Sequence, residues 1–155
     1  ILGYEYCEVA DKFAPDLFNE LADIASNLIP IIIDNYSKII PLKQNAIIST
    51  YSPKIIKENG KIDFENSLEI WRKYKAFYNW PGIWTEKFKL KKITFIENSS
   101  INEKGKILDI KKESIVVGCE KGSIEIFSIQ PISKKEMNII SYLNGQRLKV
   151  GDNLL

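Results

Sequence analysis

The hydrophobic repeat of this chain changes period across an aromatic turn, Trp80-Pro81-Gly82-Ile83-Trp84, and that change limits what can fold on either side. Before the turn, apolar residues recur every three or four positions, as on one face of a helix. From Lys87 they recur every second position, as in strands with one buried face. Leu17, Leu21, Ile24, Ala25, Leu28 and Ile32 make the first stripe. They predict a helix over Asp16–Tyr36, with Pro15 at its first turn and Pro30 kinking or splitting it. Leu68, Trp71, Tyr74 and Lys75 make a second stripe and predict a helix over Phe64–Phe77, capped by Asn66 or Asp63.

The remaining segments are shorter. Leu2–Val9 is β-prone and predicts a strand, and Asp11–Pro15 is a connection. Ile40–Asn45 is a loop around Pro41, and Ala46–Tyr51 is a short extended piece. Lys57–Lys61 is a turn in which Asn59-Gly60 favours positive φ. Strands are expected at Phe88–Glu97, Lys106–Lys111, Ser114–Cys119 and Ser123–Ile129, parted by the polar loop Asn98–Lys104 and turns at Lys111-Lys112-Glu113 and Glu120-Lys121-Gly122. Ser133–Leu143 predicts a helix whose capping box is Ser133 and Glu136. Lys149–Leu155 is an extended tail. Four or five short strands with one helix suggest a small open barrel of OB-like type. No internal repeat is present.

Composition removes several function classes. Histidine is absent, which excludes Ser-His and Cys-His nucleophile pairs and His-ligated metal within this chain. Cys7 and Cys119 have no metal-ligand spacing and read as free thiols, the cysteine usage of a cytoplasmic protein. The longest apolar run, Leu28–Ile33, is too short to span a bilayer. The first residues lack the basic start of a secretory leader. The chain begins with Ile1, so a truncated, processed or partial polypeptide is expected.

Charge is uneven. Residues 1–40 hold two Lys/Arg against seven Asp/Glu, a balance of −5, and residues 41–86 balance at +2. Residues 87–155 hold thirteen against eight, a balance of +5. The electropositive C-terminal part favours a polyanion partner, with a lysine-rich solvated surface as the plain alternative.

Several motifs fall in a recognisable order. Gln44 is followed by Thr50-Tyr51-Ser52-Pro53-Lys54, then Gly60-Lys61-Ile62-Asp63-Phe64, then the basic-to-aromatic junction Arg72–Thr85. Gly105-Lys106-Ile107, Gln130-Pro131-Ile132-Ser133-Lys134-Lys135-Glu136-Met137, Leu143-Asn144-Gly145 and Gly151-Asp152-Asn153-Leu154 close the series. This series resembles the second half of the methionyl-tRNA formyltransferase family. The elements up to Thr85 are shared with other formyltetrahydrofolate-dependent enzymes, and the Gln-Pro…Lys-Lys-x-Met…Leu-Asn-Gly ending favours the tRNA enzymes. Three positions depart from the pattern. Asn79 replaces a proline, Phe64 a tryptophan, and Lys75 an arginine, which keeps the charge and loses the bidentate fork.

The resemblance implies an α+β fragment. Residues 1–45 would be the end of a Rossmann-like catalytic domain, its last strand and helix. Residues 46–86 would be linker and junction helix, and residues 87–155 an OB-like tRNA-binding domain. The parent would be a monomeric, cytoplasmic bacterial enzyme that transfers a formyl group from 10-formyltetrahydrofolate to initiator methionyl-tRNA. The family's catalytic Asn, His and Asp fall upstream of Ile1. This chain is therefore expected to hold no catalytic, cofactor-binding or metal residue, and to position tRNA for a missing N-terminal catalytic domain.

Candidate phosphate contacts are Lys54, Arg72, Lys75, Lys91, Lys92, Lys134 and Lys135. Lys134 and Lys135 would sit in the first turn of the last helix and share an anion with its N-terminus. Strand alternation would turn only one of Lys91 and Lys92 outward. Arg72 has a salt bridge to Glu69 or Glu65 as its alternative. Trp80 and Trp84 are expected to pack the turn between structural units, with stacking on bases as the alternative. Asp63 reads as a cap at the helix start. Two rivals remain open: a formyltransferase for another amine, such as a nucleotide-linked sugar, and a non-enzymatic OB-like nucleic-acid-binding module.

Overall fold

The alternating segments pair into one antiparallel sheet. Its strands are β1 (Ile83–Trp84), β2 (Phe88–Ile96), β3 (Ile107–Ile110), β4 (Ile115–Gly118), β5 (Ser123–Pro131) and β6 (Met137–Asn138). The order is β1-β2-β5-β4-β3, with β6 also on β5. No ladder joins β1 to β3, so the sheet is open. One face carries the core: Phe88, Ile93, Ile107, Ile115, Val117, Ile124, Ile126 and Ile129 are buried. Each such side chain contributes roughly 1.5–3 kcal/mol by leaving water.

The structure, a computed structural model, describes residues Ile1–Leu155. The chain forms two units, Ile1–Ile55 and Ile56–Leu155. The sheet belongs to the second. So does α2 (Ser67–Ala76), which Asn66 caps by accepting from the N–H groups of Leu68 and Glu69. Asp63 instead holds the preceding turn, accepting from the Glu65 N–H at 3.1 Å. Ile70 and Tyr74 face the core, and the Tyr74 hydroxyl donates to the Lys91 carbonyl at 3.0 Å. Residues 57–60 form a 3-10 turn. Gly60 is not at positive φ there. What it supplies is space: a methyl group on it would lie 2.0 Å from the Gly82 carbonyl oxygen.

The last helix starts later than its sequence suggests. α3 spans Ile139–Gln146, capped by Asn138, and ends at Arg147 in the left-handed region. Ser133 does not cap it. Ser133 has φ 60°, in a tight turn where the Lys134 N–H donates to Pro131 at 3.1 Å. The cause is an open strand edge. β4 pairs with β5 only as far as Ile126. Beyond that point β6 takes the edge, placing Asn138 beside Ser128 and Met137 beside Ile129. Ser128 Oγ donates to Glu136 at 2.6 Å, so that carboxylate no longer reaches back as a capping partner.

In the first unit, α1 spans Ala14–Asp34 with Pro15 in its first turn. It runs through Pro30 without splitting. The carbonyl of Ser26 lacks its N–H partner there, but both residues are exposed and water can satisfy it. Leu17, Ile24, Leu28 and Ile32 are half-buried, and Leu21 is exposed. Leu2–Val9 forms no strand, because no ladder partners it; Ile1 alone exchanges two hydrogen bonds with Leu42. Ala46–Ile48 is a 3-10 turn rather than an extended piece, held by the Asn45 side chain accepting from Ile47. No helix is long and apolar enough to cross a membrane.

Candidate nucleic-acid interface

The outward face of β2 is a row of lysines. Phe88, Leu90 and Ile93 point inward, while Lys89, Lys91 and Lys92 are all exposed. Strict alternation would have buried Lys91 or Lys92. Between Leu90 and Ile93 the ladder with β5 is irregular, with a bulge on each strand: Lys91 of β2 and Phe127 of β5 are left unpaired around the Lys92–Ser128 pair, which lets both lysines stand outside while Ile93 returns to the core. Tyr74 caps the bulge from below through the Lys91 carbonyl. The Lys92 ammonium lies 5.2 Å from the centre of the Phe127 ring, a cation–π contact that leaves the charge facing solvent.

The turn after β5 extends this row. Lys89 pairs across the ladder with Gln130, whose side-chain amide donates to the Lys134 carbonyl at 3.1 Å. The Ile132 N–H donates to the Lys87 carbonyl at 3.2 Å. The 131–136 turn is thus fastened to the start of β2. Lys87, Lys89, Lys134 and Lys135 share one end of the sheet, exposed and without a carboxylate partner. Lys134 and Lys135 are therefore not at a helix N-terminus, and the shared-anion argument for them does not hold. What groups them with Lys89 is the hairpin geometry.

Other candidates fare differently. Arg72 is exposed and bridges Glu69 at 2.7 Å, its alternative role. Lys75 is only 8% exposed, with its ammonium 5.6 Å from the Trp71 ring centre, so it is not a surface contact. Lys54 is exposed, in the first unit. Trp84 is half-buried, and its indole N–H donates to the Lys57 carbonyl at 3.0 Å. Trp80 is 58% exposed and does not serve as packing within its unit. Lys87 and Lys89 were not singled out from sequence, although alternation around Phe88 and Leu90 marks Lys89 as outward.

Three other surface lysines are neutralised in place. Lys104 pairs with Glu65 and Glu120 at 3.0 and 3.3 Å, Lys106 with Glu103 at 3.2 Å, and Lys111 with Glu125 at 2.9 Å. Hydrogen bonds from Ser114 and Lys111 hold the Glu125 carboxyl below the usual range. Burial pushes the Cys119 thiol up to about 12, with the Asp63 charge adding to it. Cys119 is therefore not a nucleophile at neutral pH.

Residues 54–147 match the formyl transferase C-terminal domain family. The methionyl-tRNA formyltransferase of Sulfurimonas denitrificans is 45% identical over 99% of this chain and 52% of its own length. Those of Nitratiruptor sp. and Wolinella succinogenes are 43% and 40% identical, over 51% of their lengths. The chain thus spans about half the length of the curated relatives it matches. Among solved structures, HypX from Aquifex aeolicus, in complex with tetrahydrofolic acid, aligns with a TM-score of 0.68 at 16% identity. That alignment covers 98% of this chain and 28% of HypX, a likeness of fold. With the family match covering well over half of its residues, the chain belongs to the formyl transferase C-terminal domain family.

Proposed function

We propose that this chain is the tRNA-positioning part of a bacterial, cytoplasmic methionyl-tRNA formyltransferase. The longer protein would move a formyl group from 10-formyltetrahydrofolate to the amino group of initiator methionyl-tRNA. One observation carries this reading: six exposed lysines without carboxylate partners, Lys87, Lys89, Lys91, Lys92, Lys134 and Lys135, on the sheet of a unit matched by this family. Such cations contact phosphates and fix the register of a folded RNA without reading its bases. Lys54 is a further candidate on the first unit, and Arg72 one that must first leave Glu69.

Formyl transfer needs a neutral amine, a polarised formyl carbonyl and a group to stabilise the oxyanion. Residues outside this chain supply them in this reading, since the chain has no histidine. Holding the acceptor end in place lowers the barrier by removing orientational freedom before the chemical step. The names of the relatives favour a tRNA substrate over a nucleotide-linked sugar. The test is a pair of assays on the 155-residue chain. Incubated with charged initiator tRNA and 10-formyltetrahydrofolate, it should make no formylmethionyl product. In a fluorescence-anisotropy titration it should bind that tRNA at low salt. Turnover by the chain alone, or no binding at low salt, overturns the proposal.

A further inference from the structure

Beside the lysine row lies a cleft of about 410 Å³ whose lining includes Lys57, Trp84, Lys89, Gln130, Ser133 and one carboxylate, Glu86, whose charge is paired with Lys61. Its volume falls in the roughly 300–1,000 Å³ range of small-ligand clefts. We propose that it receives one unpaired nucleotide, with the base stacked on Trp84 and the phosphate on Lys57 and Lys89. This rests on the RNA reading above and deepens it, because that reading needs only backbone contacts.

Three observations carry the assignment. First, the indole is fixed in advance. Its N–H is held by the Lys57 carbonyl, and the Trp84 backbone carbonyl accepts from Ile62 at 2.9 Å. A base stacking there meets a ring whose orientation is already set. Second, the cations divide into two kinds. Lys57 and Lys61 place their ammonium groups 5.4 and 5.7 Å from the Trp84 ring centre. Lys61 is paired with Glu86, whereas Lys57 has no carboxylate. Lys57 is free to swing from the ring onto a phosphate as a base takes its place. Lys89, opposite Trp84 in the β1–β2 register, projects on the same face of the sheet and lines the same cleft. Third, Gln130 spends its amide on Lys134 and keeps its side-chain carbonyl for an exocyclic amine of a base. A continuing strand would meet Lys134, Lys135 and Lys87 next, which favours a nucleotide within RNA over a free one.

The test is an NMR titration of the 155-residue chain, following the three tryptophan indole N–H signals. Trp84 is assigned with Trp84→Phe. The probes are a single-stranded adenylate hexamer, AMP, adenosine and inorganic phosphate. The hexamer should shift the Trp84 signal and leave those of Trp71 and Trp80 in place. Lys57→Ala with Lys89→Ala, both at exposed positions, should weaken its binding about tenfold or more. AMP shifting Trp84 as strongly as the hexamer would keep the site and assign it to free nucleotide. An unmoved Trp84 signal at millimolar hexamer overturns the cleft site, whether or not tRNA binds elsewhere. Intact tRNA failing to bind, while the hexamer still shifts Trp84, would instead overturn the tRNA reading alone.

Discussion

Removing three unpaired lysines should cost far more tRNA affinity than removing three paired ones. The informative variant is Lys89→Ala, Lys134→Ala, Lys135→Ala. Its control is Lys104→Ala, Lys106→Ala, Lys111→Ala, whose lysines are bridged to Glu65, Glu120, Glu103 and Glu125. Both lower the net charge equally. Each phosphate neutralised adds about 0.9 to the slope of log affinity against log salt. If all three patch lysines touch phosphate, the slope falls by about 2.7, which at about 0.1 M salt is roughly 500-fold in affinity. The paired lysines have already given their charge to a carboxylate. Losing them frees glutamates whose repulsion is screened beyond about 10 Å, so a slope change under about one is expected. Anisotropy titrations at four salt concentrations read both numbers. Equal losses in the two variants would mean that overall charge, not the patch, governs binding.

Four further outcomes test the structure itself. Gly60→Ala drives a methyl group into the Gly82 carbonyl and should destabilise the chain by about 1–3 kcal/mol in urea; an unchanged midpoint would refute that close approach. Tyr74→Phe loses the hydrogen bond to Lys91 and should cost about 0.5–1.5 kcal/mol, with slower tRNA association absent if the bulge survives. Glu125 titrates below its unfolded value, so its stabilisation is present above the unfolded pKa of about 4.3 and is lost as pH falls through the folded one. Ser114→Ala should therefore lower urea stability at pH 7 and leave it nearly unchanged at the acid end of that window, and an equal loss at both pH values would count against it. Native protein should present one fast-reacting thiol to a disulfide reagent at pH 8, half-buried Cys7, while Cys119 reacts only on unfolding.

Much of this was legible in the residues. The strands from Phe88 to Ile129 announce themselves through alternation, and Asn66 through its place before an apolar helical face. What stayed hidden depends on partners remote in sequence. Ser133 and Glu136 have the spacing of a capping box, but the free edge of β5 draws the chain into β6 first. Leu2–Val9 has strand composition, yet composition supplies no ladder. Lys75 looks like a surface cation at the end of a helix until Trp71 lies beneath it. The same holds for the site: single lysines were visible, while their grouping came from the long-range ladder that pairs β2 with β5.

The bulge in β2 also reverses the parity of the strand. Before it, even-numbered residues face the core, Phe88 and Leu90; after it, an odd-numbered one does, Ile93. A library that randomised every second position along this strand would change surfaces halfway, sampling solvent at one end and the interior at the other. Deleting either Lys91 or Lys92 would restore a single parity in β2 alone, while β5 would still reverse its own at Phe127. It would also leave two consecutive basic positions one short, and shift every later residue of the strand against β5. The two neighbouring lysines and the correct seating of Ile93 are thus one inherited decision, and neither can be edited without the other.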